Sequence, residues 1–201
     1  MRQLNEIFIS RIDDEKRRRV FEGATKVFLA YGYNRTTMDD IAKAAEMSRP
    51  ALYLLFRNKS DIYRAIAQTF FDAGAADAKR ALAGGGSFVE RVTGMIDCGI
   101  VAHVAEIMAS PHGEEILRAK DSLAGDIAQK GRQTMQAMLA RTIAAEAAAR
   151  GVDLDDELSA PVLAGIFFDA IDGLKEREFE PDALRNQARA LALLMDRAIG
   201  G

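Results

Sequence analysis

Thr37 and Ser48 restrict most tightly what this chain can fold into. Each can cap a helix, each heads a short run with apolar residues on one side, and only Ala45-Glu46-Met47 separates the two runs. Behind Thr37, Asp40 stands where a carboxylate returns the cap, and Ile41, Ala42 and Ala45 point inward. Behind Ser48, Pro50 falls in the first turn, where a missing N–H does no harm, and Leu52, Leu55 and Phe56 supply a buried side. The spacing predicts short helices over 37–44 and 48–56 joined by a tight corner, a helix-turn-helix. An ordinary helical hairpin has the same periodicity, so more than the pattern is needed to assign a role.

The flanks read the same way. Val20, Phe21, Ala24, Val27, Phe28 and Tyr31 recur at helical spacing over 13–31, ending at Gly32, with residues 1–12 expected to form a loose arm ahead of them. Asn58 and Asp61 open a longer helix over 59–83. Gly84-Gly85-Gly86 cannot sustain a helix and ends it. Ser87 and Glu90 start another, which runs to the Pro111-Gly113 break, and further helices are expected over 114–121, 123–150, 155–175 and 181–199. With 35 alanines, no Trp and no convincing strand, the expected fold class is all-α. The expected segments are an arm at 1–12, a helix-turn-helix domain at 13–58, a connecting helix at 59–83 and a helical body at 87–201.

The net charge of -3 hides an asymmetry. Up to Ser60 there are 12 Lys and Arg against 8 Asp and Glu; beyond it, 15 against 22. The first third attracts anions and the remainder repels them. No apolar run approaches the roughly 20 residues that span a bilayer, so no membrane partner is expected. A lone Cys98 suits a reducing compartment, and a cytoplasmic location is expected.

In a helix-turn-helix the second helix enters the major groove. Here it would present Arg49, Pro50, Ala51 and Tyr53, of which Arg49 alone offers a fork able to hold guanine O6 and N7. Thr37, Tyr53 and Lys59 sit where they would hold phosphates and set position rather than read sequence. Lys16-Arg17-Arg18-Arg19 and Arg35 are outside candidates for phosphate contact, although a solvated helix face explains the run equally well.

The run Gly32-Tyr33, Thr36-Thr37-Met38-Asp39-Asp40-Ile41-Ala42, Ser48, Ala51-Leu52-Tyr53, Phe56, Lys59 resembles the tetracycline-repressor (TetR) family of bacterial transcription regulators. The likeness covers about residues 20–67 and is specific in order and spacing. Two positions depart from it: Glu46 replaces a glycine common in the turn, and Leu54-Leu55 stand where an aromatic or His is frequent. The resemblance implies a three-helix DNA-binding head, a connecting fourth helix, a divergent ligand-binding body and a homodimer built largely from the last two helices. It further implies a repressor whose small-molecule effector changes the separation of two heads on double-stranded DNA. Two-fold symmetry then predicts a palindromic operator with half-sites about 34–36 Å apart, or a multiple.

Beyond the head the signals are weaker. Met95, Met135, Met138, Phe167 and Phe168, with Cys98 and His103, are candidates to line a pliable effector pocket, while core packing accounts for most of these positions as well. Ile166, Ile171, Leu174, Leu184, Ala188, Leu191 and Met195 on the last two helices are the candidate dimer interface. Asp97, Glu106, Asp169 and Asp172 are acids among apolar neighbours; a buried one could recognise a cationic ligand, although such residues more often reach solvent or an Arg. No catalytic residue, metal set or cofactor is expected, since no nucleophile–base pairing, metal spacing or phosphate loop occurs. The alternatives are a helical-bundle enzyme and a protein-binding adaptor that never meets DNA.

Overall fold

The computed structural model describes residues 9–177 and 180–200, and among these every ordered element is helical. In chain order they are α1 (Glu15–Tyr31), α2 (Met38–Ala44), α3 (Arg49–Leu55), α4 (Lys59–Ala83), α5 (Phe88–Ile96), α6 (Ala102–Met108), α7 (Gly113–Ala149), α8 (Ala160–Arg177) and α9 (Pro181–Ala198). A 3₁₀ turn at Ile9–Arg11 precedes α1, and a π-helical stretch at Asp97–Val101 lies between α5 and α6.

Contacts group the chain into two compact units, 1–73 with 103–129 and 74–102 with 130–201. The division falls between Ala73 and Gly74, within α4, rather than at the glycine triplet, which serves only as the bend from α4 to α5. Shared cores explain it. Ile107, Ile116, Ala124 and Ile127 are buried with the N-terminal helices and not with the rest of the body segment.

In the first unit, Val20, Phe21, Ala24, Val27 and Phe28 of α1 bury against Ile41 and Ala42 of α2, Leu52 of α3 and Ile62 and Tyr63 of α4. Ile9, 2% exposed, joins this core, so the described end of the expected arm is packed; residues 1–8 lie outside the described chain. Gly23 lets two backbones meet: a Cβ there would stand 2.6 Å from the Ala45 nitrogen. The expected break between 121 and 123 is a kink inside α7, where Ala124 leaves helical geometry (φ -146°, ψ 27°). A kink frees carbonyls that the helix would otherwise pair. Arg64 takes one of them, donating to the Leu123 oxygen at 2.6 Å while its other nitrogen pairs with Asp126 at 2.7 Å.

The second unit is built on Phe88, Val92, Met95 and Ile96 of α5, Leu139 and Ile143 of α7, Phe167, Phe168 and Ile171 of α8, and Leu184, Ala188 and Met195 of α9, all buried. Helix α8 starts later than residue 155 because the Asp155 carboxylate accepts the Leu158 amide at 2.7 Å and closes a turn instead. Of the acids among apolar neighbours, Asp97 pairs with Arg185 at 2.6 Å, and Asp172 with Arg132 at 2.6 Å. No helix among the described residues is long and apolar enough to cross a membrane.

Candidate nucleic-acid interface

Local chemistry builds the corner between α2 and α3. The Thr37 hydroxyl accepts the Asp40 amide at 3.2 Å, and the Asp40 carboxylate accepts the Thr37 amide at 2.9 Å, a complete capping box. These bonds from Thr37 hold the Asp40 carboxyl below the ordinary aspartate range. The Thr37 hydroxyl also donates to Asp40 at 2.6 Å, so its proton is already committed, and a phosphate would find only the edge of the group. Ser48 caps α3 by accepting the Ala51 amide at 3.3 Å, with Pro50 in the first turn as expected.

Between the two helices Glu46 adopts φ 52°, in the left-handed region that favours glycine. It is held there from outside. Arg19 of α1 donates to the carbonyls of Ala45, at 2.8 Å, and Glu46. Arg17 lies 5.1 Å from the centre of the Phe56 ring, covering the end of α3. Two of the four residues of the basic run therefore brace the corner rather than stand free, while Lys16 remains exposed.

Leu52 is fully buried and anchors α3, leaving Arg49, Pro50 and Tyr53 on its exposed side with Ala51 half-buried between them. Arg49 is not loose. Its guanidinium meets the Asp39 carboxylate of α2 at 3.1 Å and lies 5.6 Å from the centre of the Tyr53 ring. Sequence reasoning missed Asp39, whose signal was only an acid in the first turn of α2. It also missed Leu54, 88% exposed next to Tyr53 on α3.

Lys59 departs from its expected role. Its ammonium donates to the carbonyls of Tyr33 at 2.8 Å, Thr36 at 3.0 Å and Asn34 at 3.2 Å. An ammonium has three protons, and all three are engaged. Lys59 thus ties down the loop between α1 and α2, and any contribution to a phosphate reduces to its charge. Glu115 fixes the same loop by accepting the Asn34 amide at 3.1 Å.

The expected effector lining does not converge. Met95, Phe167 and Phe168 are closed inside the second unit, with Met135 5% exposed. Cys98 is exposed, and His103 belongs to the first unit, buried edge-on to Phe70 at 5.4 Å. Met138 borders a shallow cleft of about 350 Å³ with Leu82, Arg91, Arg141 and Glu146. The first unit holds a small apolar cavity of about 80 Å³ among Phe28, Tyr63, Ile66, Phe70, Ile107 and Leu117, which sequence periodicity could not reveal. No group of three or more His, Cys, Asp or Glu among the described residues is arranged to hold a metal.

The expected interface also needs correction. Ile171, Leu184, Ala188 and Met195 are buried in the chain's own core, and Leu174 and Leu191 pack against it. An amphipathic stripe names the face that buries first, and here that face belongs to the same chain. Ile166 is 50% exposed, and Val162 on α8 and Leu193 and Leu194 on α9 are also uncovered.

Residues 20–66 match the family of bacterial regulatory proteins, tetR family, over the stretch that carries the motif resemblance. The HTH-type transcriptional activator FasR of Mycolicibacterium smegmatis is 36% identical over 69 residues, 34% of this chain and 32% of that protein. The HTH-type transcriptional repressor Rv1474c of Mycobacterium tuberculosis is 35% identical over 65 residues, 32% of this chain and 35% of that protein. The matched segments thus span about a third of these relatives. Along nearly the whole chain the fold resembles that of a TetR/AcrR-family transcriptional regulator from Thermobifida fusca, with a TM-score of 0.65 and 23% identity over 89% of this chain and 97% of the other. The matched relatives are HTH-type transcriptional regulators, and the fold is an N-terminal helix-turn-helix followed by a helical domain.

Proposed function

We propose that this chain is a homodimeric transcriptional regulator that grips a palindromic operator on double-stranded DNA and, acting as a repressor, releases it when a small molecule binds. One observation carries the reading: α3 turns Arg49, Pro50 and Tyr53 outward while Leu52 is buried beneath them, Arg19 holds the backbone of the corner and Ser48 caps the helix. A helix so presented fits the major groove, with Arg49 reading a base. Thr37 and Tyr53 flank it as positioning contacts, and Lys59 adds charge.

The homodimer is supported by the uncovered apolar residues Val162 and Ile166 of α8 and Leu193 and Leu194 of α9, which surround the stripe expected for it. Effector control is supported by the apolar cavity in the first unit and by the cleft beside Met138. A ligand acts by favouring the state that does not hold DNA, and a tenfold preference corresponds to about 1.4 kcal/mol. The two regulators compared above are an activator and a repressor, so release rather than recruitment is a proposal to be measured.

The test is selection of bound duplexes from a randomised pool. The expected product is an inverted repeat retained over shuffled sequence, with affinity falling steeply as salt rises. Retention of no duplex at low salt would leave the adaptor reading standing instead.

A further inference from the structure

Arg49 is the one side chain on α3 able to hold two acceptors of a base, and it arrives already paired. Its guanidinium sits 3.1 Å from an Asp39 oxygen and hydrogen-bonds the carboxylate at 3.2 Å. Both side chains are open to solvent, at 59% and 50% exposure, so the pair holds little of the fold together. Asp39 belongs to α2, whose capping box and buried Ile41 and Ala42 fix it, whereas Arg49 lies in the first turn of α3. A carboxylate anchored on one helix and a ring from Tyr53 on the other, at 5.6 Å, confine the guanidinium plane from two directions.

We propose that Asp39 is a positioning residue for sequence reading: it aims the Arg49 fork and cancels its charge, so the pair adds discrimination without general affinity for DNA. This rests on the functional reading above. An arginine loses rotamer freedom when it docks on a base, and a partner that restricts it beforehand lowers that loss. A bare arginine on the same helix end would attract any phosphate it met. With Asp39 beside it, the pair carries no net charge, and only an edge with acceptors spaced for the fork draws Arg49 forward.

Two changes of opposite sign follow for Asp39→Ala. Affinity for a shuffled duplex rises, by about threefold at moderate salt, because a carboxylate near the phosphates is gone. The ratio of affinities for the selected and the shuffled duplex falls by about three- to fivefold, the bias that an exposed ion pair can impose on a rotamer. Asp39→Asn, which keeps an acceptor for Arg49, retains most of the ratio while showing the gain on shuffled DNA. A merely structural part in α2 would lower binding to both duplexes together and depress the melting temperature.

The experiment measures both duplexes, selected from a randomised pool with the wild-type chain, against wild type, Asp39→Ala, Asp39→Asn, Arg49→Ala and the double variant. In the Arg49→Ala background Asp39→Ala is expected to leave the ratio unchanged, since Asp39 acts through Arg49. An unchanged ratio in Asp39→Ala alone overturns the proposal. So does a further fall in the double variant, which would make Asp39 a base contact in its own right, accepting from cytosine N4. Failure of the wild-type chain to prefer any duplex overturns the functional reading itself, a different result from either.

Discussion

The Lys59 ammonium lies 4.5 Å from the centre of the Tyr33 ring and donates to the Tyr33 carbonyl at 2.8 Å, so one side chain holds both faces of the same residue. With Thr36 and Asn34 it closes the loop that delivers the chain into α2. Hydrogen bonds to a charged group are worth about 1.5–3 kcal/mol when one partner is lost. Lys59→Ala is therefore expected to lower the melting temperature by roughly 4–10 °C in a chain of this size. Lys59→Arg, whose planar fork cannot reproduce three converging bonds, should recover only part of it. A wild-type melting curve for Lys59→Ala would show that the loop does not depend on this ammonium.

Glu46 is held at φ 52°, where a side chain with a Cβ is strained and glycine is not. Glu46→Gly should raise the free energy of unfolding by about 0.5–1 kcal/mol, the conformational gain being partly offset by the freer unfolded chain. Glu46→Val, branched at Cβ, should lower it. Urea titration of the three proteins reads the order directly, and a destabilised glycine variant would contradict the strain.

Leu194 and Ile166 are uncovered, whereas Ala188 is sealed in the core of its own unit. If the proposed dimer uses the uncovered face, Leu194→Glu or Ile166→Glu should yield a folded monomer by light scattering, with circular dichroism unchanged. Ala188→Glu should instead unfold the chain, because it drives an unpaired carboxylate into apolar packing. A dimer that survives both exposed substitutions would move the interface elsewhere.

The Arg64 guanidinium bonded to Asp126 holds that carboxyl at about 2, below the ordinary aspartate value of about 3.9. A depressed folded pKa contributes stability above the unfolded value, and the contribution is lost as pH falls through the folded one. The pair therefore stabilises fully above about pH 4 and loses its effect between about pH 4 and pH 2. Arg64→Ala removes the depression. The gap in stability between wild type and Arg64→Ala should be constant from pH 7 to about 5 and narrow below 4, leaving only the part due to the Leu123 carbonyl. A gap independent of pH would mean that Asp126 is not held.

What the sequence disclosed, it disclosed through local chemistry. Thr37 with Asp40, Ser48 with Ala51 and Ser87 with Glu90 are bonds between residues three apart, and each cap lies where its side chains required. The exposed side of α3 was readable because Leu52 and Phe56 fix its buried one. The Asp39–Arg49 pair joins two helices whose angle is set by packing, and no spacing rule reaches it. Lys59 reads as a phosphate contact from its place beside the helix-turn-helix; three carbonyls brought together by a loop cannot be seen in one dimension. Ser122 and Gly125 flank the Ala124 kink, and the Leu123 carbonyl that it frees is taken by Arg64 from another helix, a bridge that no spacing rule reaches. The misplaced interface has the same origin, since the stripe on α8 and α9 records burial without saying by which chain.

Gly23 sits in mid-helix, where substitution tables favour alanine by up to about 1 kcal/mol. An engineer working from those tables to harden α1 would begin here and do damage: the added methyl would push the Ala45 backbone away from a gap of 2.6 Å, and with it the platform on which α3 stands. The cheapest stabilising substitution on paper is thus a mutation that misaligns α3.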